Sequence, residues 1–515
     1  MSEAPAKNDN ALEEIRALWG ESQTLASAAA LLAWDQETYM PASAGPARAE
    51  QSALLARLVH ERRTAPRVGE LLDRLDDENA AGETGGIDDR ETTRSIAREL
   101  RRDHERAVSL PSSLVADLAR AGSIAQDAWK HARANNDFAA FAPHLGAVLS
   151  LTREKARCLK RDGQEEIYDA LLDEYEPDTT GADIDAVFGP LRERLAAIVD
   201  RARSSGTRPD TSVLDRPVPE DTQHDFGLFV LRACGFDLDA GRLDVTTHPF
   251  CEGLAPGDTR LTTRYKGDRW SDALYGTLHE MGHGLYEQGL PKADHWGTPL
   301  AESVSLGIHE SQSRLWENLV GRSGAFWAWA LPHLARRYGE AFTDASVETL
   351  TRAVNTVEPS LIRVEADEGT YNLHVMIRYE LERSLIREDL SIGDLPGAWN
   401  ERYRDLLGIE VPDDRRGCLQ DVHWSFGLVG YFPTYTLGNL YASQLWEAMG
   451  RSIDLPAAVA AGEFGPLLAW LREHIHAHGR RYSAAQLCER ATGEPLSAEP
   501  LLRHLDAVVR ESYNA

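Results

Sequence analysis

His279 and His283 bracket Glu280 in the run His279-Glu280-Met281-Gly282-His283. Side chains four residues apart on a helix sit one turn apart on the same face, so both imidazoles can point at one Zn²⁺. Glu280, one residue past the first imidazole, can reach a metal-activated water without binding the metal, which makes it the candidate general base. The bland alternative is a pair of histidines making ordinary hydrogen bonds on a helix face. A catalytic zinc takes three protein ligands and keeps one position open, so a third ligand is needed. The extended motif with a third histidine is excluded, because its Gly and His positions hold Tyr286 and Gly289. Downstream, Glu302, His309 and Glu310 are the candidates. Glu302 and Glu310 are eight residues apart, close to two turns, so one could bind the metal while the other orients His279 or His283. Spacing alone leaves that choice open.

The elements that must position these groups follow from periodicity. SDALYGTLHEMGHGLYEQGL reads as helix, with Asp272 near its start and Gly289 then Pro291 as stop signals. The loop GLPKADHWGTPL separates it from a second helix expected over Glu302 to Leu319. Upstream, RLDVTTHPF and TRLTTRY are rich in Thr and Val around the turn-forming CEGLAPGD, which predicts a small β-hairpin between Arg242 and Tyr265. Elsewhere apolar residues recur at helical spacing, as in Leu54, Leu55, Leu58 and Val59, then Leu71, Leu72 and Leu75, so the class is mainly α. The acidic, Gly-containing stretch from Asp76 to Asp89 reads as a surface loop. The following RSIAREL and RRDHERAVSL mix both charge signs at helical spacing, the pattern of a solvated helix face.

Composition removes several classes of function. The 515 residues carry 82 Asp plus Glu against 55 Lys plus Arg, a net charge of −27, which disfavours nucleic acid and anionic membrane as partners. With 42% hydrophobic and 27% charged residues the chain is globular rather than disordered. No segment approaches the roughly 18 apolar residues of a membrane span, and MSEAPAKNDNALEEIR has no basic leader followed by an apolar run. Five scattered cysteines with no Cys-x-x-Cys pair point to free thiols in a reducing compartment. The expectation is a cytoplasmic protein.

Seven separate motifs resemble the Taq-type carboxypeptidase family of zinc metallopeptidases. They are WDQETYMP from Trp34 to Pro41, His248-Pro249-Phe250, Asp258-Thr259-Arg260-Leu261-Thr262, the His279 to His283 run, His309-Glu310-Ser311-Gln312, Ile362-Arg363-Val364-Glu365-Ala366-Asp367, and Gly430-Tyr431-Phe432-Pro433-Thr434-Tyr435. They span nearly the whole chain, so one catalytic domain over residues 1–515 is expected, with the acidic loop at about 76–89. The resemblance implies a large helical body split by a deep active-site cleft, a small sheet beside the metal helix, and a homodimer. It also implies Glu310 as third ligand, Glu302 as an orienting partner, and His309 as a neighbour facing substrate.

The same resemblance implies a zinc carboxypeptidase that releases single residues from peptides with a free C-terminus. Arg363 is then the first choice for the terminal carboxylate, since a planar guanidinium can pair with it bidentately. The structural alternative is an ion pair of Arg363 with Glu365 or Asp367. Arg260 is the second candidate, closing the pocket past the cleavage point, or else a structural hairpin arginine. Tyr431 and Tyr435 can donate toward a tetrahedral oxyanion, although aromatics at this spacing also pack cores. His248 is a candidate contact near the scissile carbonyl, with a packed structural His as the alternative. Cys251 reads as a small buried hydrophobe or a thiol near the metal, and Trp34 and Asp35 as helix packing. Co²⁺ or Mn²⁺ in place of Zn²⁺ is left open by affinity order. Two other functions fit a metal site in a helical cleft: an oligopeptidase cutting internal bonds, which needs no carboxylate-binding Arg363, and a non-catalytic peptide-binding protein, which needs no base at Glu280.

Overall fold

A computed structural model describes residues 11–81, 87–266 and 269–513. The chain opens with four helices, α1 (Ala11–Thr38), α2 (Gly45–Arg63), α3 (Pro66–Ala81) and α4 (Ile87–Ser109). The apolar repeat Leu71, Leu72 and Leu75 of α3 is fully buried. It packs with Ile15 and Trp19 of α1, Ile96 and Leu100 of α4, and Leu300 from the middle of the chain, forming a small core of its own. The repeat on α2 forms helix too, but Leu54 is exposed and Leu55, Leu58 and Val59 are only half-buried. A second, much larger core gathers apolar side chains from Ala125 to Tyr513.

The acidic stretch departs from the expectation. Residues 76–81 continue α3 and Ile87 already begins α4, while 82–86 lie outside the described residues. Asp, Glu and Ala are tolerated on a helix, so the loop signal in that segment rests on its glycines.

The expected β element is a three-stranded sheet of β1 (Gly241–Val245), β2 (Cys251–Ala255) and β3 (Asp258–Thr263) in the order β1-β3-β2. The hairpin joins β2 to β3 around Pro256 and Gly257, so CEGLA is itself a strand rather than the turn. β1 pairs with β3 in parallel, with Leu243 opposite Leu261. Leu261 is fully buried, and β2 and β3 pack against the helix Trp270–Gly289 that carries the histidine motif.

The next helix starts later than expected. Pro299–Ala301 is a single 3₁₀ turn, Glu302 is extended, and the helix runs over Leu306–Arg314 before widening into a π-helical turn, Leu315–Val320. Ser305 sets the start, its hydroxyl accepting from the Ile308 amide at 3.1 Å. Among the described residues no helix is long and apolar enough to cross a membrane. All five cysteines are free thiols.

Candidate active site

Two helices build the metal-ligating cluster because a glycine lets them touch. Gly282 lies between His279 and His283, and a Cβ there would stand 2.4 Å from the Gln312 carbonyl oxygen and 2.5 Å from Ser313 Cα. Only a residue without a side chain allows the helix Leu306–Arg314 to cross this close. Room for Glu310 comes from the helix Pro433–Met449, where a Cβ on Gly438 would sit 2.5 Å from Glu310 Cγ.

The result is a convergence of His279, His283 and Glu310, whose ligand atoms all lie within 4.8 Å of one another. Glu310 Oε2 is 3.6 Å from His279 Nε2 and 3.4 Å from His283 Nε2. Bonds of about 2.0–2.1 Å in a tetrahedron place ligand atoms about 3.3 Å apart, so the donor set fits a divalent ion such as Zn²⁺ with a position left for water. Glu310 is fixed by Arg314 Nε donating to Oε1 at 2.7 Å and Ser313 Oγ donating to Oε2 at 2.9 Å.

Each imidazole is aimed from behind. His279 Nδ1 donates to Glu317 Oε2 at 2.9 Å, and His283 Nδ1 donates to the His309 carbonyl at 3.0 Å, leaving both Nε2 atoms facing Glu310. Glu317 was missed by the sequence reading. It sits seven residues after Glu310, two turns on, and Arg314 between them bonds both carboxylates, reaching Glu317 at 3.2 Å. Burial alone would raise the Glu317 carboxyl, but Arg314, His279 and Arg322 hold it down at about 2, which favours the anion that accepts from His279.

His309 stands behind the metal cluster. Its ring stacks on His283 at 4.5 Å, with Nδ1 2.6 Å from His283 Nδ1 and Nε2 donating to Glu287 at 2.8 Å. Both ring nitrogens face protein partners, so the substrate-facing position expected of it is not what the structure shows. Glu302 is also placed elsewhere: it accepts from Gln23 at 2.8 Å and pairs with Arg480 at 3.1 Å, and it orients neither histidine. The reason is the break before Leu306, which takes Glu302 off the helix that carries Glu310.

Glu280 is 6% exposed, and burial pushes its carboxyl up to about 7, where it can both accept and release a proton near neutrality. Cys251 on β2 is close enough to feel the charges of Glu287 and Glu280, and burial pushes its thiol well up, which makes it a weak nucleophile.

Arg363 lies in a 3₁₀ turn, Arg363–Glu365, and is 4% exposed. Its partner is Asp421, reached by Nε at 3.0 Å and Nη2 at 2.9 Å, while Nη1 donates to Tyr371 Oη at 3.0 Å. Neither expected partner fits: Asp367 caps the helix Glu368–Arg387, accepting from Thr370 N at 3.0 Å, and Glu365 is largely exposed. Arg378 bonds the other Asp421 oxygen at 2.6 Å. Burial opposes the charge on Asp421, yet Arg378 and Arg363 hold its carboxyl well below the usual range. His423 is neutral, lowered to about 4 by burial and then by Arg363. Two guanidiniums therefore share one carboxylate, leaving one positive charge in excess. Asp421, Arg378 and His423 lie outside every motif quoted above, and nothing in their spacing marks them.

Tyr431 and Tyr435 come together at the start of the helix Pro433–Met449, ring centroids 5.4 Å apart. Tyr435 Oη is 3.3 Å from His423 Nε2, and the Arg363 guanidinium lies 5.0 Å from the Tyr435 ring centre. Burial raises both phenols first, helped next by Glu310 at Tyr431 and by Tyr431 at Tyr435, so both stay protonated and can donate. Arg260 on β3 is held by Asp258 through two bonds of 2.9 Å and lies 4.2 Å over Trp34. His248 is exposed in the connection from β1 to β2. Trp34 is buried and Asp35 pairs with Arg48 at 2.6 Å, in keeping with a packing role.

Comparison with known proteins identifies the family. The profile described as Carboxypeptidase Taq (M32) metallopeptidase matches residues 14–509. Thermostable carboxypeptidase 1 of Thermus thermophilus is 50% identical over 494 residues, covering 94% of this chain and 96% of the relative. Carboxypeptidase 1 of Bacillus subtilis is 38% identical over 93% of this chain and 94% of its own length. Among solved structures, the M32 carboxypeptidase from Deinococcus radiodurans R1 superposes with a TM-score of 0.93 at 40% identity, covering 98% of this chain and all of that one. Metallocarboxypeptidase 1 of Trypanosoma cruzi gives 0.92 at 34% identity, covering 97% and 99%. Matched over nearly its whole length by profile, sequence and fold, the chain belongs to the Taq (M32) family of metallocarboxypeptidases.

Proposed function

We propose that this metallocarboxypeptidase uses Zn²⁺ held by His279, His283 and Glu310 and releases single C-terminal residues from peptides. The observation that carries the reading is the meeting of two Nε2 atoms and one carboxylate oxygen, with Glu280 next in the chain to His279. A bound divalent ion supplies Lewis acidity toward water and the scissile carbonyl; Co²⁺ or Mn²⁺ in place of Zn²⁺ would supply the same chemistry from this donor set.

The protein groups then divide the work. Glu280 accepts a proton from the attacking water on its carboxylate and returns one to the leaving amine nitrogen. Tyr431 and Tyr435 donate hydrogen bonds toward the oxyanion. Arg363, which together with Arg378 outweighs the Asp421 carboxylate by one positive charge, attracts the substrate's terminal carboxylate and sets the register at one residue. Arg260 and His248 on the sheet side of the metal helix act as substrate contacts, and His309 holds His283 in place. Peptides rather than folded proteins are the substrates, since a cleft between helices admits an extended chain. Nucleic acid and membrane are not partners of so acidic a chain. The free thiols support a cytoplasmic location, and the family resemblance supports a homodimer of single catalytic domains spanning 1–515.

Glu280→Gln tests the reading. It should keep the bound metal yet lower peptide hydrolysis by about 10²–10⁴-fold, the worth of a positioned general base. Hydrolysis at the wild-type rate with metal retained would remove Glu280 from the reaction.

A further inference from the structure

Outside the active site, the mixed-charge segment on α4 separates into two parts. Arg101 meets Asp73 and Asp76, Arg102 meets Asp173 and Asp178, and Arg106 meets Asp173 and Glu174, as a solvated or packed ion-pair face would. Arg90, Arg94 and Arg98 recur every fourth residue, which stacks them along one face of the helix. There the pairing thins out. Arg98 bonds its neighbour Glu99 at 2.8 Å and the Arg481 carbonyl at 2.8 Å, and Arg94 meets no carboxylate among the described residues.

Facing this stripe stand Arg481 and Arg490, the latter on the helix Ala484–Thr492. Arg481 donates to Thr92 Oγ1 at 3.1 Å, while its buried Nε has no partner. Arg490 lies 4.3 Å over the Tyr482 ring. Neither pairs with a carboxylate among the described residues, although the chain carries 82 of them. Between the two walls opens a cavity of about 920 Å³ lined, among the described residues, by five arginines and two carboxylates, Glu91 and Glu489. The local field is positive: after burial, Arg481 and Arg490 are the largest influences lowering His478 nearby.

Like charges at four-residue spacing destabilise a helix, and the guanidiniums of Arg94, Arg481 and Arg490, which meet no carboxylate among the described residues, converge from two walls on a surface of net charge −27. Planar guanidinium forks match phosphate oxygens bidentately, and several forks at once suit an anion with several phosphate groups better than a single carboxylate. We propose that the cavity between α4 and the Arg481 to Arg490 segment binds a compact polyphosphate, either inorganic or the phosphate chain of a nucleotide. Its volume falls in the range of small-ligand pockets, about 300–1,000 Å³. Bound there, the anion bridges the small core, to which α4 belongs, and the larger one.

The test is equilibrium dialysis of the metal-loaded full chain against labelled inorganic triphosphate, with ATP in a parallel arm. The expected result is saturable uptake of one anion per chain, weakened at least about tenfold by R94E/R490E, the loss of two charged phosphate contacts, and unchanged by R120E on the surface elsewhere. Equal affinity for the two ligands assigns recognition to the phosphates alone, and tighter ATP adds a nucleoside contact; both support the site. Metal stripping by triphosphate would persist in R94E/R490E, so uptake that the double variant leaves intact overturns the proposal. Absence of saturable uptake overturns it as well. Arg94 and Arg490 are exposed and far in role from the metal ligands, so unchanged peptide hydrolysis by R94E/R490E reports an intact fold.

Discussion

Replacing Gly282 by alanine should damage the metal site without touching a ligand. The added Cβ would stand 2.4 Å from the Gln312 carbonyl oxygen, and ordinary contact begins near 3.4 Å, so the helix bearing Glu310 must retreat by about 1 Å. Both obstructing groups are backbone and cannot rotate away. Overpacking of this kind costs about 1–3 kcal/mol. A comparable displacement moves Glu310 Oε2 away from both Nε2 atoms, for which we expect metal affinity to fall about 10–100-fold, as when a ligand's support is lost. Gly276→Ala, on the same helix, is the control: its Cβ would find its nearest neighbour, Thr263 Oγ1, at 3.9 Å. That substitution should be neutral or stabilising by up to about 1 kcal/mol, because alanine is the better helix former. The assay is urea unfolding together with metal competition against a chromogenic chelator. If Gly282→Ala matched wild type in both, or if Gly276→Ala were equally damaged, the close helix crossing would not be what places Glu310.

Three further outcomes follow from particular contacts. Glu317→Gln keeps the size of the side chain that accepts from His279 but removes its charge, so metal affinity should fall about 10–100-fold, read by the same chelator competition. Asp421→Asn leaves Arg363 and Arg378 buried without their shared carboxylate and should cost about 3–5 kcal/mol in denaturant unfolding. Glu382 holds the Gly430 amide at 3.0 Å just before Tyr431, and burial pushes its carboxyl up from 4.5 to about 7. Between those values the folded state keeps a proton that the unfolded chain has released, so stability declines as pH rises through the window, by about 3 kcal/mol for this group. Glu382→Gln should flatten that decline in unfolding curves taken from pH 4.5 to pH 8; an unchanged slope would contradict the assignment.

Much of the candidate site was legible in the sequence because its proposed ligands follow local rules. The one-turn spacing of His279 and His283 survives as the structural fact that defines the cluster. Choosing Glu310 over Glu302 needed the family resemblance, since helix spacing assumed an element that in fact begins only after Ser305. Glu317 was readable in principle: it is two turns past Glu310 with Arg314 between, a pattern that a search at seven-residue spacing would have found. Asp421, 58 residues from Arg363, was not readable, because a long-range ion pair leaves no local signature. For the same reason sequence suggested the nearby Glu365 and Asp367, when Asp367 was already committed to capping a helix. In the sheet, Thr and Val marked β1 and β3 correctly, whereas Gly253 and the Pro256-Gly257 turn disguised β2 as loop. The break in the acidic stretch was misjudged in extent because acidic residues end neither α3 nor α4.

The most direct measurement of the central claim is amino-acid release by the metal-loaded protein from an N-blocked peptide, supplied as the free acid and as its C-terminal amide. Arg363 and Arg378, two cations against the single Asp421 carboxylate, leave one positive charge in excess, which predicts stepwise release from the acid and little from the amide. Equal cleavage of both, or internal fragments from either, would contradict carboxylate recognition at that site.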